Sequence, residues 1–213
     1  MLFKDHFILK LNNKIKTCQD CKLKDNPGPV PGYGGADAYV MFISDAPKAE
    51  DVARGIPFTG IAKQRMVNAI SDIGLKKGEY YFTYLVKHQL TDGAKPDIYA
   101  HRPCLNLLLE EIELINPHVI CSMGYYVTNF LMEAYEMETK GKQLKELHGN
   151  AYIIPGKKYN RSKNIKSRKE PRPKRYLIPT WSPAVENPIM NQDFSTDVKT
   201  IKHVAQMQVL LFD

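Results

Sequence analysis

The chain has 213 residues, 43% of them hydrophobic, and no apolar run of membrane-spanning length, so it reads as one soluble domain with room for a core. No internal repeat is visible, and Met1 to Phe7 mixes charge with apolar residues instead of forming the apolar centre of a secretory leader, so a cytoplasmic protein without membrane association is expected. The net charge of +7 is uneven: residues 157–175 hold ten bases against one acid, Glu170, for +9, while the remaining twenty bases and twenty-two acids leave −2.

Along the chain, Cys18 and Cys21 come first as a Cys-x-x-Cys pair. In a reducing compartment that spacing points to metal or redox chemistry, whereas a secreted protein would favour two disulfides among Cys18, Cys21, Cys104 and Cys121. Residues 26–35 are too rich in Pro and Gly for a regular element and predict a loop. Beyond it, strand-like runs at 38–43, 80–86, 118–123 and 175–178 alternate with helical patterns at 62–73, 98–115, 125–135 and 196–211. Such alternation predicts an α/β layered fold. In the second helix Leu105, Leu108, Leu109, Ile112 and Ile115 form one apolar face, a core face, and Pro117 ends it. Cys121 falls inside an apolar strand and reads as core.

Ligand sites of open parallel sheets lie beyond the carboxyl ends of the strands. These boundaries bring Asp45, residues 84–88 and residues 179–182 to one rim. An acid there is a candidate for acid–base work or for stabilising positive charge in a transition state. A surface acid or a helix cap is the bland reading of the same residue. Lys157, Lys158, Arg161, Lys163, Lys166, Arg168, Lys169, Arg172, Lys174 and Arg175 read as a phosphate-binding arm, with a solvated linker as the alternative.

Several pieces, in this order, carry a resemblance: Thr17 to Leu23, Val30 to Gly34, Asp45-Ala46-Pro47 with Glu50-Asp51, Gly55-Ile56-Pro57-Phe58-Thr59-Gly60, Thr83 to His88, Arg102-Pro103-Cys104, Glu111 to Pro117, and Pro179 to Ala184. The chain resembles the uracil-DNA glycosylase superfamily, in its iron–sulfur branch (family 4 and the uracil-crosslinking type). That resemblance implies a three-layer α/β/α fold with a four-stranded parallel sheet, as a single domain over 1–213 with a basic insertion at 156–175. It further implies a [4Fe–4S] cluster on Cys18, Cys21, His88 and Cys104, with zinc equally compatible with three Cys and one His by spacing alone. Asp45 takes the catalytic position usually held by Glu, and Phe58 the place of the aromatic on which a flipped base stacks. DNA is the implied partner and a monomer the implied state.

Two base-reading positions depart from the family. Tyr84 stands where an Asn is expected and Ser182 where a His is expected. A phenol does not reproduce the donor and acceptor of an amide, so uracil selectivity should be lost in favour of a larger, modified pyrimidine. Among relatives this points to antiphage enzymes that remove glucosylated hydroxymethylcytosine. Lys48 replaces a Gly and is a candidate contact to phosphate or to a base modification. The rival reading is an inactive glycosylase-fold DNA-binding module of a replication assembly, and a third is a single-strand or RNA-binding regulator that uses the arm alone.

Overall fold

Alternation within Val40 to Ser44 sets the layering: Val40 and Phe42 pack to one side of the sheet, Met41 and Ile43 to the other, and all four are fully buried. The structure, a computed structural model, describes residues 2–91, 94–97, 100–138, 141–155 and 174–209. Its elements are α1 (Leu2–Lys16), β1 (Tyr33–Gly34), β2 (Val40–Ser44), α2 (Ala49–Arg54), α3 (Gly60–Asp72), β3 (Tyr80–Tyr84), α4 (Arg102–Ile115), β4 (Val119–Met123), α5 (Tyr125–Ala134), α6 (Leu144–Leu147), β5 (Tyr152–Ile154), β6 (Arg175–Thr180) and α7 (Pro188–Val209).

The expected four parallel strands are present, in the order β3-β2-β4-β6. Two short antiparallel strands, β1 on β3 and β5 on β6, extend the sheet to six. Only two and three residues long, they offer too little alternation to show in sequence. Helices cover both faces. On one, α4 and α5 bury Leu105, Leu108, Ile112, Val127 and Leu131; on the other, α3 and α7 bury Met66, Ile70, Phe194, Val198 and Ile201. Cys121 is core, as expected.

Three helix boundaries differ from expectation. Helix α4 begins at Arg102 because Pro103 fits only a first turn, and it ends at Asn116 in the left-handed region at φ 53°. Helix α7 begins eight residues earlier than the apolar pattern suggests: Asn187 accepts from the N–H groups of Ile189 and Met190 at 3.0 and 3.2 Å, and Pro188 opens the first turn. Helix α1 was not expected. It is held by tertiary contact, with Leu11 and Ile15 packed on Leu107 and Lys14 paired with Glu110 at 2.7 Å.

Beneath β3 lies a buried ion pair. Lys87 Nζ bonds Glu111 Oε2, Thr83 Oγ1 (2.7 Å) and the Tyr84 carbonyl (2.8 Å), and its side chain is fully buried. Glu111 also accepts from Thr83 Oγ1 at 2.8 Å, Tyr81 OH at 3.3 Å and the Gly32 N–H at 3.2 Å, which ties α4, β3 and the Pro/Gly-rich loop together. Removing one partner strands the other in low dielectric. Glu111→Ala is therefore expected to cost about 3–5 kcal/mol in urea unfolding. Glu111→Leu combined with Lys87→Met should recover at least half of that loss.

Candidate active site and metal centre

The chain leaves β2 for β3 on one side, then crosses to β4 on the other, so the connections part at the carboxyl ends of β2 and β4. Such a switch point opens a crevice. Asp45 directly follows β2 and Gly124 directly follows β4. The Asp45 carbonyl accepts from the Val86 N–H at 2.9 Å, which fixes its backbone to the rim. Gly124 takes φ 112°, and a Cβ there would stand 3.4 Å from Asp45 Oδ2, so glycine lets the carboxyl settle against the start of α5. Ser122 and Thr128 share a hydroxyl hydrogen bond of 2.9 Å, and Thr128 donates to the Gly124 carbonyl at 2.8 Å, locking that start onto β4.

Burial pushes the Asp45 carboxyl up to about 6, while the Val127 N–H in the first turn of α5 and the Lys48 ammonium pull it down more weakly. Asp45 Oδ1 is buried with no hydrogen-bond partner. The acid is thus desolvated, half-supported by a helix N-terminus, and poised near neutral pH.

Its neighbour Asp51 is the reverse case. Its carboxylate accepts from the Thr59 N–H (2.7 Å), Thr59 Oγ1 (2.6 Å), the Lys48 N–H (2.8 Å) and Tyr84 OH (2.8 Å). Four donors from three segments satisfy it fully, at 3% exposure. Tyr84 OH also accepts from the Phe58 N–H at 3.0 Å, so the phenol is committed to loop architecture. Phe58 stacks on Tyr84 with centroids 5.2 Å apart, meets Phe82 at 5.1 Å, and holds a strained φ of 56°. Ser182 Oγ accepts from the Ala184 N–H at 3.3 Å, a local turn contact. The turn that follows is gripped from α3, where Arg65 Nη1 donates to the Pro183 and Val185 carbonyls at 2.6 and 2.8 Å. Lys48 is exposed, close enough for its charge to act on Asp45.

Cys21, His88 and Cys104 bring ligand atoms within 4.8 Å of one another. Cys18 is buried beside them, its thiol 3.9 Å from Asp20 Oδ2, and its field reaches Cys104. Burial pushes the Cys104 thiol up to about 12, and His88 Nδ1 is buried without a partner. Soft sulfur donors joined by an orphaned imidazole nitrogen form a set that a thiophilic metal centre would satisfy.

Lys157, Lys158, Arg161, Lys163, Lys166, Arg168, Lys169 and Arg172 lie outside the described residues. Lys174 is exposed, and Arg175 turns onto Glu113 at 2.9 Å. The roots of the arm, Ile154 and Arg175, pair across β5 and β6 at the end of β6 away from Thr180. They stand about 17 Å of strand from the rim that carries Asp45.

Sequence reasoning gave no role to Asp51, Lys87, Arg65 or to the pair His148 and Asp197. Asp51 had a readable signal, an acid in a first helical turn after Pro47. The others depend on contacts across 24 to 120 residues and had none.

Residues 31–201 match the family model of the uracil DNA glycosylase superfamily. A type-4 uracil-DNA glycosylase of Saccharolobus solfataricus is 28% identical over 94% of this chain and 88% of its own. Similar proteins of the same name from Pyrobaculum aerophilum and Archaeoglobus fulgidus are 31% and 25% identical, covering 67% and 94% of this chain and 72% and 94% of theirs.

Because folding raises the Asp45 carboxyl from 3.8 to about 6, its protonated form is the one the fold favours. Its contribution to stability is full below about pH 4 and is lost as pH rises through about 6. Asp45→Asn should therefore be more stable than wild type by about 1–3 kcal/mol at pH 7.5, with the difference vanishing near pH 4, as read by denaturant melts across pH.

Proposed function

The chain belongs to the uracil DNA glycosylase superfamily, and on that premise we propose that it is a DNA glycosylase acting on a flipped, enlarged pyrimidine and leaving an abasic site. The observation that carries this is Asp45: a desolvated carboxyl with an unpartnered oxygen, set where the strand connections part between β2 and β4. The C1′–N bond breaks with its electron pair leaving on the base, and a water oxygen bonds C1′. The water's proton passes to the Asp45 carboxylate, and the departing base takes up a proton. Above about pH 6 the ionised carboxylate faces the positive charge that grows on the sugar.

Substrate choice follows from what the crevice lacks. Tyr84 OH is spent on Asp51 and the Phe58 N–H, and Ser182 offers a single rotatable hydroxyl, so neither supplies the fixed donor and acceptor pair that a uracil edge requires. Phe58 is 5% exposed and packed on Tyr84 and Phe82, so a base would meet only the small part of its ring left open, while Lys48, exposed and near Asp45, is the candidate for a polar substituent or a phosphate. Glucosylated hydroxymethylcytosine, a viral base, is the substrate class this reading favours, and it places the enzyme in antiviral defence. Cys18, Cys21, His88 and Cys104 would hold a [4Fe–4S] cluster, with zinc the rival. When bound, such a cluster supplies a covalent clamp between the N-terminal segment and α4, as well as a one-electron centre. The basic residues of 157–175 would supply sequence-independent phosphate contacts.

DNAs carrying uracil, hydroxymethylcytosine or its glucosylated form distinguish the possibilities through alkali-labile cleavage. The glucosylated base should be released fastest, with kcat/KM falling tenfold per pH unit below about 6 and Asp45→Ala slower by on the order of 10² to 10⁴. Preference for uracil would reject the enlarged-base reading, and equal release by wild type and Asp45→Ala would favour an inactive binding module.

Purified protein should be brown and contain iron, with Cys104→Ala losing both the colour and thermal stability. Zinc in place of iron would assign the same residues to a tetrahedral site.

A further inference from the structure

Between α6 and β5 lies an imidazole that the chemistry above leaves unused. His148 Nδ1 sits 3.1 and 3.0 Å from the two oxygens of Asp197, whose side chain is only 4% exposed. Thr180 Oγ1, at the end of β6, donates to Asp197 Oδ2 at 2.7 Å. Gly149 closes the arrangement: at φ 72°, any Cβ there would stand 2.6 Å from Asp197 Oδ1, and its N–H donates to the Pro179 carbonyl at 2.9 Å. A carboxylate so placed accepts from the ring, which puts a proton on Nδ1 and leaves Nε2 for a ligand. Among the described residues nothing bonds Nε2, and the His148 side chain is 23% exposed. Its ring leans on Trp181 with centroids 5.5 Å apart.

A histidine serving only the core would have both nitrogens engaged. This one is braced on the inside and open on the outside, at the rim where Asp45 stands. Gly124 links the two, since its N–H donates to the Thr180 carbonyl at 2.9 Å and its Cα faces the Asp45 carboxyl.

We propose that His148 is a second substrate-contacting residue, whose Nε2 donates to an anionic oxygen of the DNA, with Asp197 as its positioning residue. With Nδ1–H turned to Asp197, Nε2 donates in the doubly protonated form of the ring, which the substrate anion and the Asp197 side chain then flank. Two oxygens of the substrate have the required charge: a phosphodiester beside the extruded nucleotide, and the departing pyrimidine as it takes the electron pair of the breaking bond. This inference rests on the glycosylase reading of the rim.

The test uses the full, uniformly ¹⁵N-labelled chain and a duplex bearing 2′-fluoroarabino-hydroxymethylcytidine, which retains its base and resists cleavage. The His148 Nε2 resonance should shift on DNA addition, and His148→Ala and Asp197→Asn should each slow single-turnover base release by on the order of 10- to 100-fold. Slower release with Kd within about twofold assigns the contact to the departing base; weaker binding with a salt slope reduced by about one assigns it to a phosphate. An Nε2 signal that stays fixed while the Gly124 amide moves, or a His148→Ala variant with wild-type rate and Kd, overturns this inference alone. A spectrum in which nothing moves overturns the DNA-binding reading and this one with it.

Discussion

Buried carboxylates organise this molecule, and what separates them is whether their hydrogen-bond capacity is filled. Asp51 takes four donors and pins α2, the Phe58 loop and β3 to one point. Glu111 does the same at the underside of β3, with Lys87 as counter-charge. An unsatisfied buried acid is costly, so each of these networks resists motion of any one member. Between the two anchored regions the sheet presents Asp45, which the fold surrounds with apolar bulk and leaves with an empty oxygen. A site built this way gives up stability where chemistry is to occur and restores it nearby.

The same contrast explains the place that Tyr84 takes in the fold. Tyr84 looks like a substitution at a reading position, yet its hydroxyl is the bridge between Asp51 and the Phe58 N–H. The phenol therefore maintains Phe58 in its left-handed conformation.

Charge is arranged on two levels. Near the chemistry it is sparse and directional: the first turn of α5, the Lys48 ammonium and the Asp197-backed imidazole. The dense positive charge of the chain enters at the other end of β6, where Arg175 is held by Glu113. The charge-rich segment and the rim that carries Asp45 are thus rooted at opposite ends of one strand.

Much of this was legible in the residues. Short, nearly continuous apolar runs marked the four parallel strands, because a strand buried on both faces is largely apolar, and their ends put Asp45 on the rim. The Cys-x-x-Cys pair, His88 and Cys104 announced a soft-donor centre, and three of the four converge. Helix α1 and the early start of α7 were not legible from periodicity, since packing on α4 and a single Asn cap decide them. Local sequence therefore determined which residue types lie at strand ends and which ligands are available. Tertiary structure alone decided which acids are satisfied and which is left bare, because the partners of Asp51, Glu111 and Asp197 arrive from segments distant in the chain and meet only when the layers close.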